Sequence, residues 1–140
     1  MPTPNSPELP APAAPPAPRI LVADDEEGTL ALLTDVLTYS GFVVTPARDG
    51  LEAFALARAT PPDLALLDVM MPGLDGRELC RRLHADDGLS HVPVILCSAT
   101  SIDAVDWRAA GAVGFLQKPF PIRELTKIVR QHLPDSGTSR

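Results

Sequence analysis

The sequence predicts an α/β domain on a five-stranded parallel sheet, in the flavodoxin-like (βα)5 arrangement with doubly wound strand order 2-1-3-4-5. Three observations predict it. Five short apolar runs, Ile20–Ala23, Phe42–Thr45, Asp63–Leu67, Val92–Cys97 and Val113–Leu116, show almost no polar alternation, as strands buried on both faces require. Segments with apolar residues at helical spacing separate these runs. Polar side chains collect at the carboxyl ends of the runs, where open α/β sheets place their ligands.

Each element has its own local signal. The first run ends in four consecutive acids, Asp24 to Glu27. Thr29 to Tyr39 then carries Leu30, Leu33, Val36 and Leu37 at helical spacing, and Gly41 closes that helix. After the second run, Asp49-Gly50 leads into a helix from Leu51 to Ala59 that Pro61-Pro62 terminates. The third run passes into Asp68-Val-Met-Met-Pro-Gly-Leu-Asp-Gly76, and Arg77 to His84 is helical, with Leu79 and Leu83 four apart. Pro93 fits the fourth run only near its start. A short helical stretch is expected from Asp103 to Ala110, ending at Gly111. The fifth run meets Lys118-Pro-Phe-Pro121, and Ile122 to Leu133 forms the last helix.

Composition bounds the rest. Eight of the 16 prolines lie in residues 1–18, together with much alanine and a single charge, Glu8. That stretch reads as an extended, disordered tail. Residues 19–133 remain as one domain, about 115 residues and enough for a single core, and 134–140 as a short flexible end. With 12 basic against 18 acidic residues the net charge is −6, which argues against a nucleic-acid partner. No apolar run approaches the ~20 residues that span a bilayer, and the N-terminus lacks the pattern of a signal peptide. Cys80 and Cys97 are too few for a disulfide framework or a zinc site, and read as small buried apolar residues. His84, His91 and His132 are scattered and form no ligand set. The expected compartment is the cytoplasm, with no membrane partner.

In a parallel sheet the carboxyl ends of all strands share one side. Asp24, Asp25, Asp68, Ser98 and Lys118 therefore converge there. Three neighbouring carboxylates repel, and a hard cation relieves them; oxygen-only ligation with open positions suits Mg2+. A carboxylate beside such a cation, with an ammonium and a hydroxyl nearby, can accept a phosphoryl group.

At these residues the chain resembles a bacterial response-regulator receiver domain of the chemotaxis-regulator type, over roughly residues 19–133. The matching pieces are Asp24-Asp25, the Asp68 to Gly76 run, Ser98-Ala99 and Lys118-Pro119-Phe120. The resemblance implies that Asp68 is the phosphoacceptor. It implies that Asp25, Asp68 and the backbone carbonyl of Met70 hold Mg2+, with Asp24 assisting through water. Ser98 would be the switch hydroxyl, Phe115 the switch aromatic and Lys118 the family's lysine. A cis peptide before Pro119 is implied as well. The implied partners are a sensor histidine kinase or histidine phosphotransfer protein upstream and an unidentified protein target downstream. The module is not an enzyme beyond assisting its own phosphorylation and dephosphorylation. Residues 134–140 are too few for an output domain, so a stand-alone module is expected.

Other readings remain beside this one. An acidic pair before a helix serves as a cap, and a hydroxyl at a strand end suits a bond to its own backbone. Phe115 fits plain core packing, and Trp107 suits either a core anchor or an interface. Within the family the alternative is a relay intermediate that passes phosphate onward. Outside it, a Mg2+-dependent aspartyl phosphohydrolase of the haloacid-dehalogenase type needs an acid two residues after its nucleophile, where this chain has Met70. A flavin-binding module of the same architecture wants amides and positive charge, not acids, at its phosphate end. One departure concerns the segment between Ser98 and Gly111, about two residues shorter than the usual receiver pattern. Two residues exceed half a helical turn, so a helix that is short, rotated or partly replaced by loop is expected there, with an unusual partner surface around Trp107, Phe115 and the helix from Ile122.

Overall fold

The structure, a computed structural model, describes residues 16–100 and 106–134. Five strands and four helices follow one another in the described residues: β1 (Arg19–Ala23), α1 (Glu27–Tyr39), β2 (Val43–Ala47), α2 (Gly50–Ala59), β3 (Leu64–Asp68), α3 (Gly76–Ala85), β4 (Val94–Ser98), β5 (Gly114–Gln117) and α4 (Ile122–His132). All strand pairs are parallel, in the order β2-β1-β3-β4-β5. That is the expected doubly wound sheet. Pro46, which has no N–H to give, sits in the edge strand β2, where a ladder tolerates it.

Alternation along the buried strands builds two cores, one on each side of the sheet. Leu21, Ala23, Ala65, Leu67, Val94 and Leu96 pack with α2 and α3. Ile20, Val22, Leu64, Leu66, Ile95 and Cys97 pack with Leu30, Leu33 and Leu37 of α1 and Leu125 and Val129 of α4. α1 ends where expected, in a Schellman cap: Gly41 at φ 100° directs its N–H to Thr38 O, and Phe42 N–H reaches Leu37 O.

One expectation changes within the described residues. The short helix from Asp103 to Ala110 does not appear in its described part. Asp106 to Ala112 is one hydrogen-bonded turn, and residues 103–105 lie outside the described residues. A second Schellman cap stops it at once: Gly111, at φ 98°, donates to Arg108 O and Ala112 donates to Trp107 O. The expected tails fall mostly outside the described residues too, as 1–15 and 135–140. Pro18, counted with the first tail, is held at the sheet's edge, its carbonyl accepting from Val43 N at 2.9 Å. Among the described residues no helix is long and apolar enough to cross a membrane.

Candidate functional site

Register brings the polar residues together. Ala23 pairs with Leu67, so Asp24 and Asp68 stand one step past a matched pair of strand ends. Asp68 pairs with Cys97, and Ser98 with Gln117, so Ser98 and Lys118 complete the same edge. The ladder runs on past the strands, with Val69 N–H on Cys97 O at 2.8 Å and Lys118 N–H on Ser98 O at 2.8 Å. Gly76 opens α3 directly under the loop. A Cβ there would lie 2.3 Å from the Asp68 carbonyl oxygen, so only glycine lets the helix approach so closely.

Lys118 is the centre of the charge arrangement. Its Nζ donates to Asp24 Oδ2 at 2.7 Å and to Asp68 Oδ2 at 3.3 Å. Asp24 is fully buried and Asp68 nearly so, whereas Asp25 is exposed. Glu26 N–H fixes the other oxygen of Asp24 at 2.9 Å, and Met70 N–H reaches Asp68 Oδ1 at 3.3 Å. One ligand oxygen from each of Asp24, Asp25 and Asp68 falls within a 4.8 Å cluster. One ammonium thus faces three carboxylates. Burial first, and then the charge of Asp24, push the Asp68 carboxyl up to about 6, against the opposing pull of Lys118. Burial pulls the Lys118 ammonium down, but its bond to Asp24 and the surrounding acids outweigh that, and its pKa is raised.

The structure brings some of the residues singled out in the sequence together and sets others apart. Asp24, Asp68 and Lys118 are in direct contact, and Asp25 stands at the open side. Ser98 is buried, and its Oγ accepts from Thr100 N–H at 3.0 Å, a local bond of the kind strand-end hydroxyls make. Phe115 is half-buried against the core of the α2–α3 side. Trp107 packs on the same core with the Arg108 guanidinium 4.3 Å above its ring. The Met70 side chain points to solvent. The Lys118–Pro119 peptide is cis, as the resemblance implied. Both thiols are buried and raised by that burial, Cys80 to about 11 and Cys97 to about 12, which keeps them protonated.

Two contributors were not singled out in the sequence. Glu26 caps α1, its carboxylate accepting from Thr29 N–H at 2.6 Å and being held low chiefly by hydrogen bonds from Thr29. Glutamate is not among the preferred N-cap residues, so nothing local pointed to it. Gly76 stood in the sequence only as the end of the Asp68 to Gly76 run, and its steric requirement comes from a backbone eight residues away in sequence.

Residues 20–130 match the response regulator receiver domain. The chain belongs to the response-regulator receiver family. Receiver domains are the phosphoacceptor modules of two-component signalling. Among relatives, the DNA-binding response regulator MtrA of Mycolicibacterium paratuberculosis is 40% identical over 117 residues, covering 82% of this chain and 51% of that protein. The receiver chain therefore spans about half the length of that relative. Among solved structures, the chemotaxis protein CheY4 of Vibrio cholerae is 28% identical with a TM-score of 0.79, covering 84% of this chain and 99% of that one. The receiver domain of a sensor histidine kinase from Pseudomonas aeruginosa, crystallised with magnesium coordinated in its active-site cleft, is 29% identical with a TM-score of 0.75. It covers 82% of this chain and 96% of that one.

The receiver's donor set fits a hard divalent cation. It is all oxygen, it carries two more negative charges than Lys118 neutralises, and Asp25 opens it to solvent.

Proposed function

We propose that this receiver accepts a phosphoryl group on Asp68 from a phosphohistidine of a sensor kinase or phosphotransfer protein. The observation that carries this reading is the Lys118 ammonium bridging Asp24 and Asp68 at the sheet's carboxyl edge, at 2.7 and 3.3 Å.

The residues divide the work. Lys118 and the Met70 amide hold one oxygen each of Asp68, which fixes the direction of its lone pairs. With a carboxyl raised only to about 6, Asp68 is largely ionised at neutral pH and keeps its nucleophilic charge. An Asp68 oxygen attacks phosphorus, an O–P bond forms, the N–P bond of the phosphohistidine breaks, and the imidazole leaves with the electron pair. Lys118 stands where negative charge on the transferred oxygens needs compensation. Asp25, Asp68 and the Met70 carbonyl would hold Mg2+, with Asp24 assisting through water; bound there, the ion supplies positive charge for the same oxygens. Ser98, on the strand next to Asp68, is the hydroxyl placed to sense the new group, and Phe115 on β5 the aromatic placed to respond. The output is then a changed protein contact. Met70 offers no acid to hydrolyse a small phosphate ester, so turnover on such substrates is not expected.

Asp68→Asn keeps the shape and removes the attacking anion. Incubated with acetyl phosphate and Mg2+, the wild type should gain one phosphoryl mass in intact-protein mass spectrometry, and Asp68→Asn none. An adduct of equal yield on the variant would refute the assignment.

A further inference from the structure

Each of the five strands hands over to a polar side chain at the carboxyl edge, and the one that follows β2 has no part in the chemistry above. β2 stops at Ala47, and the next residue is Arg48. Ala47 pairs with Ala23, and Asp24 N–H donates to Ala47 O at 3.1 Å. The peptide group that joins Ala47 to Arg48 is therefore bonded directly to the start of the acidic cluster. Only Arg48 and Asp49 separate β2 from α2. Both are pinned: Arg48 N–H donates to Glu52 Oε1 at 2.7 Å, and Asp49 Oδ1 accepts from Glu52 N–H at 2.8 Å. The start of α2 thus fixes where the Arg48 side chain leaves the backbone.

Charge gives this position a role. In strand order Arg48 stands at one end of the row and Lys118 at the other, with Asp24, Asp68 and Ser98 between them. The Lys118 side chain is engaged with two buried acids and only 21% exposed, whereas that of Arg48 is 75% exposed. Among the described residues its ion-pair partner is Glu27, at 3.9 Å and itself 84% exposed, a contact of little strength in water. Parallel strands stand about 4.8 Å apart, so Arg48 lies roughly 10 Å from Asp68, two strands away. At that range in water and low salt, a unit charge changes the affinity of a doubly charged ion by about fourfold. One cation at the rim therefore repels Mg2+ and attracts a phosphate dianion. We infer that Arg48 is a specificity-determining residue of this site, favouring anionic phosphodonors while holding down the affinity for Mg2+. The donor half of the inference rests on Asp68 being the phosphoacceptor; the Mg2+ half does not.

Calorimetric titration with Mg2+, and phosphorylation by acetyl phosphate at saturating Mg2+, test the two halves separately on the full chain in low salt. Arg48→Gln should bind Mg2+ about two- to fourfold more tightly than the wild type and take up phosphate more slowly by a similar factor. Arg48→Glu should go further in both directions. Arg48→Lys, which keeps the charge, should match the wild type. In about 0.5 M NaCl the differences should vanish, because salt screens exposed charges within a few ångströms. An unchanged Mg2+ affinity or donor rate in Arg48→Gln, a change of both in the same sense, or a lysine variant that behaves like the glutamine one overturns the inference. A wild type that gains no phosphoryl group refutes the role of Asp68 and the donor half with it, while the Mg2+ titration still decides whether Arg48 restrains the cation.

Discussion

At the scale of single residues, Asp68 is held at a free-energy cost that its ionisation exposes. Its carboxyl rises from 3.8 to about 6, through burial first and the neighbouring Asp24 second. Because the folded pKa lies above the unfolded one, the folded chain binds this proton more tightly between those values. Asp68 therefore opposes folding fully above about pH 6, and the penalty fades as pH falls through that window. In metal-free buffer at pH 7, Asp68→Asn should be more stable than the wild type by roughly 1–3 kcal/mol. Paired urea titrations should show the gap closing as pH approaches 4. A gap that stays constant, or an Asn variant less stable at pH 7, would contradict the electrostatic account. The acids and Lys118 were legible from position alone, since strand ends in a parallel sheet share one side. Which oxygen meets which donor was not, because the Lys118 side chain spans from β5 to two strands whose separation only the register sets.

Among the elements, the loop from Asp68 to Gly76 shows how the sheet's edge is held in place. Asp75 caps α3 by accepting from Glu78 N–H at 3.0 Å, and Gly76 N–H bonds Val69 O at 3.0 Å, so the helix starts against the strand that precedes it. Gly76→Ala would set a methyl 2.3 Å from the Asp68 carbonyl oxygen and 3.0 Å from Val69 Cα, both backbone atoms that cannot swing aside. The expected loss is about 1–3 kcal/mol of stability, with phosphorylation by acetyl phosphate slowed because Asp68 shifts with its backbone. A variant with unchanged midpoint and unchanged phosphorylation rate would show that the loop yields freely. Apolar patterning located the five strands and four helices of the described residues, as short unbroken runs for the strands and as helical spacing for the helices. It misled for the described part of the stretch expected from Asp103 to Ala110, where the Gly111 cap closes a single turn, whereas the shortness of the segment had already pointed to a helix partly replaced by loop. A glycine's left-handed geometry is compatible with either a long helix or a single turn before it, and the sequence does not separate the two.

For the molecule as a whole, the five strands are shared walls. Alternate residues of β1, β3 and β4 belong to the core under α2 and α3 or to the core under α1 and α4, so neither layer keeps its packing if the sheet opens. A chain of this size with such shared strands should unfold in one step. Its single tryptophan reports on one layer only, since Trp107 packs on the α2–α3 side. Far-ultraviolet circular dichroism reports on both. The acidic cluster stands at the end of those same strands, between the layers, with Asp24 following β1 and Asp68 ending β3. A cation that binds only the folded cluster must then stabilise both layers equally. Thermal melts followed by tryptophan fluorescence and by circular dichroism should coincide without Mg2+. Both should move upward together when it is added, by an amount equivalent to roughly 2.7 kcal/mol at a hundred times its dissociation constant. Asp25→Ala, which removes one exposed carboxylate and leaves the buried Asp24–Lys118–Asp68 contacts in place, should lose most of that rise while its two curves still coincide. Curves that separate in the presence of Mg2+, with fluorescence moving and circular dichroism fixed, would show that the cation couples to one layer alone and that the shared strands do not transmit its binding.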